Sequence, residues 1–125
     1  PGPTDQLREH EVVELFIYGA GGQYTEIELA PSGHHLVLQL NGVRNAVATK
    51  LPIRYEATIH GDRWTATASI DKALLPAGPH RWNATAIHGS KEHRTYLSWI
   101  PLPGDKPDFH QPEITQPLVF VGGAL

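Results

Sequence analysis

The sequence has 125 residues, a formal net charge of −3, 40% hydrophobic residues and 18% charged residues. This length and composition are typical of one globular domain and exclude an intrinsically disordered chain. The slightly acidic balance argues against a nucleic-acid partner, and the absence of cysteine excludes disulfides and thiolate metal sites. Neither a signal-peptide core nor an apolar stretch long enough to cross a membrane is visible, so we expect a soluble chain with no membrane partner.

Apolar and polar residues alternate with a period of two along most of the chain, which predicts β-strands. Turn signals rich in glycine, such as Gly61-Asp62, separate these segments. Seven strands are predicted in chain order: 12–18, 23–30, 34–41, 53–60, 63–70, 81–88 and 94–99.

Three further segments complete the chain. A single helical turn is predicted at 71–75, with Asp71 as its N-cap and Pro76 as its end. The proline-rich stretch 101–117 is expected to wrap the surface without pairing in a sheet, and a last short strand is expected at 118–121. The whole pattern predicts an all-β fold, an antiparallel β-sandwich or jelly roll of seven to eight strands.

The alternation also assigns side chains to the two faces of the sheet. The sandwich core is predicted on one face and comprises eight apolar residues: Val13, Leu15, Ile17, Ile27, Leu29, Leu36, Leu38 and Leu40. The other face, here called the carboxylate face, is expected to carry aromatic and acidic residues on the first two strands. The third strand is expected to add His35, Val37, Gln39 and Asn41 to it.

The carboxylate face brings like charges together. If the turn at 19–22 keeps like faces together, three pairs form across the strands: Tyr18–Tyr24, Phe16–Glu26 and Glu14–Glu28. Opposed carboxylates are destabilising, so an arginine, a metal ion or a shared proton should neutralise them. Two interpretations remain open: a solvated outer face, or a ligand-binding face with aromatic platforms.

Several other residues are candidates for a site. Arg94 shares the predicted face of Tyr96 and is the expected cation for Glu14 and Glu28. His88 and His110 lie in dense polar tracts, where each is either a hydrogen-bonded structural residue or a functional one. No histidine spacing typical of a metal site occurs, so no cofactor is predicted and a metal ion stays an alternative.

Specific tracts carry a family resemblance. Residues 11–16, the Tyr24-x-Glu26-x-Glu28 pattern and Pro31-x-Gly33 resemble the DOMON-like fold of family 9 carbohydrate-binding modules. The chain resembles more closely an uncharacterised family of vertebrate and bacterial proteins of about 200 residues. That resemblance rests on these residues and tracts: His35 to Leu38, Arg44-Asn45, AIHGSK at 86–91, Arg94, Tyr96 and KPDFH at 106–110.

The resemblance covers about residues 7 to 110 and implies a β-sandwich whose domain begins some tens of residues before Pro1. We therefore expect one domain over residues 1–125 that lacks N-terminal strands of the full domain. Its sheet edge would be covered by the missing N-terminal segment or by another copy of the chain. One departure is Leu7-Arg8-Glu9-His10, where the family has Leu-Trp-Asp-Tyr.

The sequence predicts a non-catalytic binding module for a carbohydrate or a similar small polar ligand. The expected ligand-binding residues are Glu14, Tyr18, Tyr24, Glu26, Glu28, His88, Arg94, Tyr96 and His110. A small hydrolase or lyase with Glu28 or His110 as general base is an alternative, and so is an interaction domain of a larger assembly. Crowding of Glu14, Glu28, Arg94 and His88 in a dry pocket would favour the enzyme, and a shallow groove with exposed aromatic rings would favour the binding module.

Overall fold

A computed structural model describes residues 2–5, 11–89, 93–103 and 108–118. Ten β-strands lie in these ranges: β1 (Gly2–Pro3), β2 (Val12–Tyr18), β3 (Gln23–Leu29), β4 (His34–Asn41), β5 (Ala46–Ala48), β6 (Arg54–His60), β7 (Arg63–Ser69), β8 (Arg81–His88), β9 (Thr95–Ser98) and β10 (Gln116–Pro117). The seven long predicted strands are confirmed to within one residue at each end. The strands β1, β5 and β10 were not predicted.

Eight of these strands form one sheet in the order β1-β4-β3-β2-β8-β10, with β5 also on β4 and β9 also on β8. All the pairs are antiparallel except β1 with β4. The hairpin β6–β7 forms a second, two-stranded sheet with its turn at Gly61-Asp62. The predicted all-β, antiparallel fold class is confirmed.

The proline-rich segment differs from its prediction. We expected it to wrap the surface without pairing, but Gln116 and Pro117 pair with Trp82 and Arg81 at the edge of the sheet. Proline is tolerated at an edge because its missing N–H does not interrupt a ladder between two strands. The strand expected at 118–121 lies outside the described residues after Leu118.

The turn between β3 and β4 decides which residues of β4 share the carboxylate face. Residues that pair directly across neighbouring strands point to the same side of the sheet. Because Glu28 pairs with Leu36, the even-numbered residues of β4 lie on the same face as the even-numbered residues of β3. The prediction that placed Leu36, Leu38 and Leu40 in the core on the opposite face is therefore wrong. They lie on the carboxylate face, and His35, Val37, Gln39 and Asn41, which were predicted there, lie on the other side, because a one-residue shift exchanges the two sides of a strand.

The second face, called here the hairpin face, is packed with apolar side chains. Ile17, Ile27, Leu29 and Val37 form a buried cluster on the main sheet. These hydrophobic residues pack against it: Leu15, Leu51, Ile53, Tyr55, Ile70, Leu75, Trp82 and Leu118. The Tyr55 hydroxyl on β6 donates a hydrogen bond of 2.7 Å to the backbone oxygen of Ala30, which fixes the hairpin over the sheet.

A single turn of 3₁₀ helix at Lys72–Leu74 confirms the predicted helical turn. The Asp71 side chain accepts a hydrogen bond of 2.9 Å from the backbone N–H of Ala73, as an N-cap does. The Thr25 hydroxyl donates to the backbone oxygen of Leu74 at 2.6 Å, so the turn is anchored to β3. No helix among the described residues is long and apolar enough to span a membrane.

Candidate functional site

Three glutamates form the centre of the carboxylate face. Glu14 on β2 pairs directly with Glu28 on β3, and Glu26 lies two residues before Glu28 on the same face. The predicted pairs Tyr18–Tyr24, Phe16–Glu26 and Glu14–Glu28 are all confirmed. Glu14, Glu26 and Glu28 are only 4–5% exposed, and one carboxylate oxygen of each lies within 4.8 Å of the other two. The alternative of a solvated outer face is therefore wrong.

A cavity of about 680 Å³ opens onto these carboxylates. Leu36, Leu38 and Leu40 of β4 form much of its apolar wall. Their position on the carboxylate face was not predicted from the sequence. Its polar wall comes from segments distant in the sequence: Glu14, Glu26, Glu28, Arg44, Arg94, Asp108 and His110. Tyr96 and Phe109 add two aromatic rings. The carboxylates thus line a pocket that is partly open to solvent.

A chain of hydrogen bonds orients His110 in this cavity. The Tyr24 hydroxyl lies 2.7 Å from His110 Nδ1, and it accepts a hydrogen bond of 2.9 Å from the backbone N–H of Arg44. His110 Nε2 lies 3.5 Å from Glu26 Oε1, close enough for an ion pair when the ring is protonated. Burial raises the pKa of the Tyr24 phenol, and the Arg44 N–H acts in the opposite direction. The phenol therefore stays neutral at neutral pH and holds the imidazole in place.

The rim of the cavity carries an ion pair that the strand pattern did not reveal. The Arg44 guanidinium contacts the Asp108 carboxylate, and both side chains are about half exposed. Asp108 also accepts a hydrogen bond of 3.2 Å from the backbone N–H of His110. Arg44 has a φ of +58°, an uncommon conformation for a non-glycine residue, and this geometry directs its N–H at Tyr24.

The aromatic rings on this face lie mostly in its interior. Tyr18 and Tyr24 stack with ring centroids 4.7 Å apart, and both are almost fully buried. Burial, followed by the charges of Tyr24 and Glu26, raises the pKa of Tyr18 far above its ordinary value. Tyr96, in contrast, is 42% exposed and meets Phe109 edge to face at 6.2 Å. Tyr96 and Phe109 are thus the phenol and phenyl rings that line the cavity.

The structure brings together most of the residues that the sequence selected. Six of them line the cavity: Glu14, Glu26, Glu28, Arg94, Tyr96 and His110. The Tyr24 hydroxyl contacts His110 Nδ1, and the Tyr18 ring stacks on the Tyr24 ring. His88 is not among the lining residues; it pairs with the Glu11 carboxylate, and its side chain is 71% exposed. That Arg94 neutralises Glu14 and Glu28 stays a prediction.

Sequence reasoning did not select Arg44, Asp108 and Phe109. All three come from loops, where strand periodicity assigns no face. They do fall within the tracts that carry the family resemblance, Arg44-Asn45 and KPDFH at 106–110. Treating those tracts as parts of one site would have identified them.

Comparison with known proteins finds relatives in vertebrates, although no family model matches the sequence. The chain is 40% identical over 128 residues to the UPF0462 protein C4orf33 homolog of Mus musculus, covering 96% of this chain and 67% of that protein. It is 40% identical over 124 residues to the Danio rerio homolog, covering 93% and 63%. Human UPF0462 protein C4orf33 is 39% identical over 118 residues, covering 88% and 59%.

One solved structure is similar in fold. It is the crystal structure of a "putative carbohydrate-binding protein" from Bacteroides uniformis, with a TM-score of 0.71 and 17% sequence identity. The match covers 92% of this chain and 63% of that one. The chain thus spans about three fifths to two thirds of the length of these relatives. At such low identity the structural likeness shows the fold alone.

Proposed function

The chain belongs to the UPF0462 family, and we propose that it is a non-catalytic binding module for a carbohydrate or a similar small polar ligand. The observation that carries this proposal is the cavity of about 680 Å³ over the carboxylate face. Its volume is typical of small-molecule sites, and three buried carboxylates, two guanidinium groups and an imidazole converge on it. Buried charges are costly, so their convergence on one cavity supports a binding role.

The lining residues match the two surfaces of a sugar ring. Glu14, Glu26 and Glu28 would accept hydrogen bonds from hydroxyl groups, and charge-assisted bonds of this kind are among the stronger ones in proteins. Arg94 would donate to ring or hydroxyl oxygens. Tyr96 and the leucine wall would cover the apolar face of the ring, where aromatic side chains contribute much of the contact area.

The fold agrees with this proposal at a coarser level. The neighbour from Bacteroides uniformis is described as a "putative carbohydrate-binding protein", and the match covers 92% of this chain. We propose in addition that the sandwich is of the DOMON-like kind found in family 9 carbohydrate-binding modules. Because fold does not determine ligand, the proposal depends on the cavity residues and not on this likeness.

Calorimetric titration with a panel of neutral, acidic and amino sugars would test the binding proposal. We expect one panel member to bind, and Glu28→Gln to weaken that binding at least about tenfold because a buried acceptor of hydroxyl protons is lost. The matched control is Glu56→Gln, which alters an exposed carboxylate on β6, away from the cavity. Equal affinities for the two variants would contradict the proposal.

A hydrolase or lyase is a second candidate, and the crowded pocket favours it. The carboxylate oxygens lie within 4.8 Å of one another, near the spacing of about 5–5.5 Å between the two carboxyl groups of retaining glycosidases. Glu28 or His110 would then act as the general base, with Arg94 nearby. Chromatography of each bound sugar or glycoside after long incubation separates the two candidates. Recovery of unchanged ligand supports the binding module, and cleaved product that disappears in Glu28→Gln supports the enzyme.

A further inference from the structure

The geometry of the three glutamates points to an ion. We propose that Glu14, Glu26 and Glu28 bind one hard divalent cation, Ca²⁺ or Mn²⁺, at the base of the cavity. Oxygen ligands of Ca²⁺ lie about 2.3–2.6 Å from the ion, so two oxygens on one ion are at most about 4.6–5.2 Å apart. The carboxylate oxygens lie within 4.8 Å of one another, which satisfies this limit. A divalent ion would also offset the repulsion between carboxylates on neighbouring strands.

The buried hydroxyl group of Thr85 is a second, independent observation in favour of an ion at this place. Thr85 on β8 pairs directly with Glu14 of β2, so its side chain projects from the same face beside the carboxylates. Thr85 is 3% exposed, and within the described ranges its hydroxyl oxygen has no hydrogen-bond partner. A buried hydroxyl without a partner is unfavourable. A cation, or a water molecule bound to it, would supply that partner, since hydroxyl oxygen is also a hard ligand.

His110 distinguishes between the two ions. Its Nε2 lies 3.5 Å from Glu26 Oε1, while its Nδ1 contacts the Tyr24 hydroxyl at 2.7 Å. A metal-binding imidazole is oriented in this way by a partner on its other ring nitrogen. Imidazole suits transition metals, whereas Ca²⁺ takes oxygen ligands. His110 does not belong to the group of ligand atoms within 4.8 Å of one another, so the three carboxylates form an all-oxygen site and Ca²⁺ should bind at least as well as Mn²⁺.

The experiment uses the whole chain, freed of metal with a chelator and titrated with CaCl₂ and with MnCl₂ alone, in the absence of sugar. Calorimetry should show a single ion bound per chain, and electron spin resonance should show the Mn²⁺ signal broadening on binding. Glu28→Gln should weaken cation binding at least about tenfold, and Glu56→Gln on β6 should not change it. Absence of binding to the unaltered chain, or equal binding by these two variants, would overturn the proposal.

Thr85→Val keeps the size of the side chain and removes its hydroxyl, so it tests the same site with little risk to folding. We expect an affinity lower by about tenfold in Thr85→Val and retained in Thr85→Ser, with both variants unfolding cooperatively. Unchanged affinity in Thr85→Val would remove the hydroxyl from the site and overturn the argument drawn from it. His110→Gln leaves the three carboxylates in place and should retain Ca²⁺ binding; loss of Ca²⁺ binding in this variant would contradict an all-oxygen site.

Cation binding also bears on the proposed ligand. An ion at the base of the cavity would present open coordination positions to neighbouring hydroxyl groups of a sugar, and this step rests on the proposed function. The cation site and the sugar-binding function can be tested separately. Sugar binding in the presence of chelator would leave the binding module in place without the ion, and cation binding without any sugar ligand would leave the ion site in place alone.

Discussion

The two faces of the main sheet are made from the same strands and are filled in opposite ways. The hairpin face buries Ile17, Ile27 and Val37 beneath Tyr55 of β6 and apolar residues that flank the hairpin, so its interior consists mainly of apolar contacts. The carboxylate face buries three glutamates between two apolar clusters, one around Val12 and the other around Phe16. Apolar packing serves stability, whereas buried charge is retained only where something compensates it. Both faces thus bury apolar clusters, and only the carboxylate face combines them with buried charge, which is why we propose that the binding site lies there.

The largest effect is expected on the hairpin face. Ile27→Ala removes a fully buried side chain and should lower the free energy of unfolding by about 2–5 kcal/mol, because a cavity remains in the cluster. Urea denaturation measures this loss. The matched control is Ile59→Ala on β6, whose side chain is 59% exposed and whose loss should cost about 0.5 kcal/mol or less. Equal losses would show that the hairpin-face cluster does not stabilise the fold.

A second effect belongs to the phenols of the carboxylate face. The pKa values of Tyr18 and Tyr24 are raised by burial, so the folded protein keeps protons that the unfolded chain releases above pH about 10. Their contribution is therefore fully present below pH 10 and decreases as the pH rises. The decrease is at most about 1.4 kcal/mol per pH unit for each retained proton.

Urea denaturation between pH 8 and 11 measures this slope. Tyr18→Phe keeps the stacked ring and should make the alkaline loss of stability shallower, since one titrating group is removed. Tyr96→Phe serves as the control because its side chain is 42% exposed, and we expect its slope to match that of the unaltered protein. An unchanged slope in Tyr18→Phe would show that this phenol is not what makes the fold sensitive to alkali.

A smaller effect is expected where charge is removed from the carboxylate cluster. Glu14→Gln or Glu28→Gln relieves repulsion across the strands, so the free energy of unfolding should stay level or rise by up to about 1 kcal/mol. Ligand or ion binding should weaken in the same variants. A loss of stability beyond about 2 kcal/mol would instead mark the glutamate as a structural ion-pair partner, and would blur the contrast between the faces. Thermal unfolding in metal-free buffer gives the measurement.

The smallest effect on stability is expected at the rim. The Arg44–Asp108 pair is about half exposed, so Arg44→Gln should cost less than about 1 kcal/mol. If the rim contacts the ligand, the same variant should still weaken binding measurably in calorimetry. Arg63→Gln on the exposed hairpin is the control for a lost positive charge. Binding unaffected by Arg44→Gln would confine the site to the buried end of the cavity.

Strand periodicity was sufficient to predict the fold class and the central pairs of the site. The glutamates of β2 and β3 were placed together because the turn between these strands keeps even-numbered residues on one face. The same reasoning assigned the residues of β4 to the wrong faces, because alternation within a strand does not determine which face its residues share with the preceding strand. Arg44, Asp108 and His110 meet through loops, and their proximity depends on packing that a local pattern does not contain.

The turn at residues 30–33 has a consequence for how sequences of this family can vary in length. Inserting or deleting a single residue there would exchange the two sides of β4, moving the leucine wall out of the cavity and Val37 out of the hairpin-face cluster. A change at the Gly61-Asp62 tip of β6–β7 would disturb no described residue of the cavity. Homologous sequences should therefore conserve the length of the first turn strictly while tolerating gaps at the second.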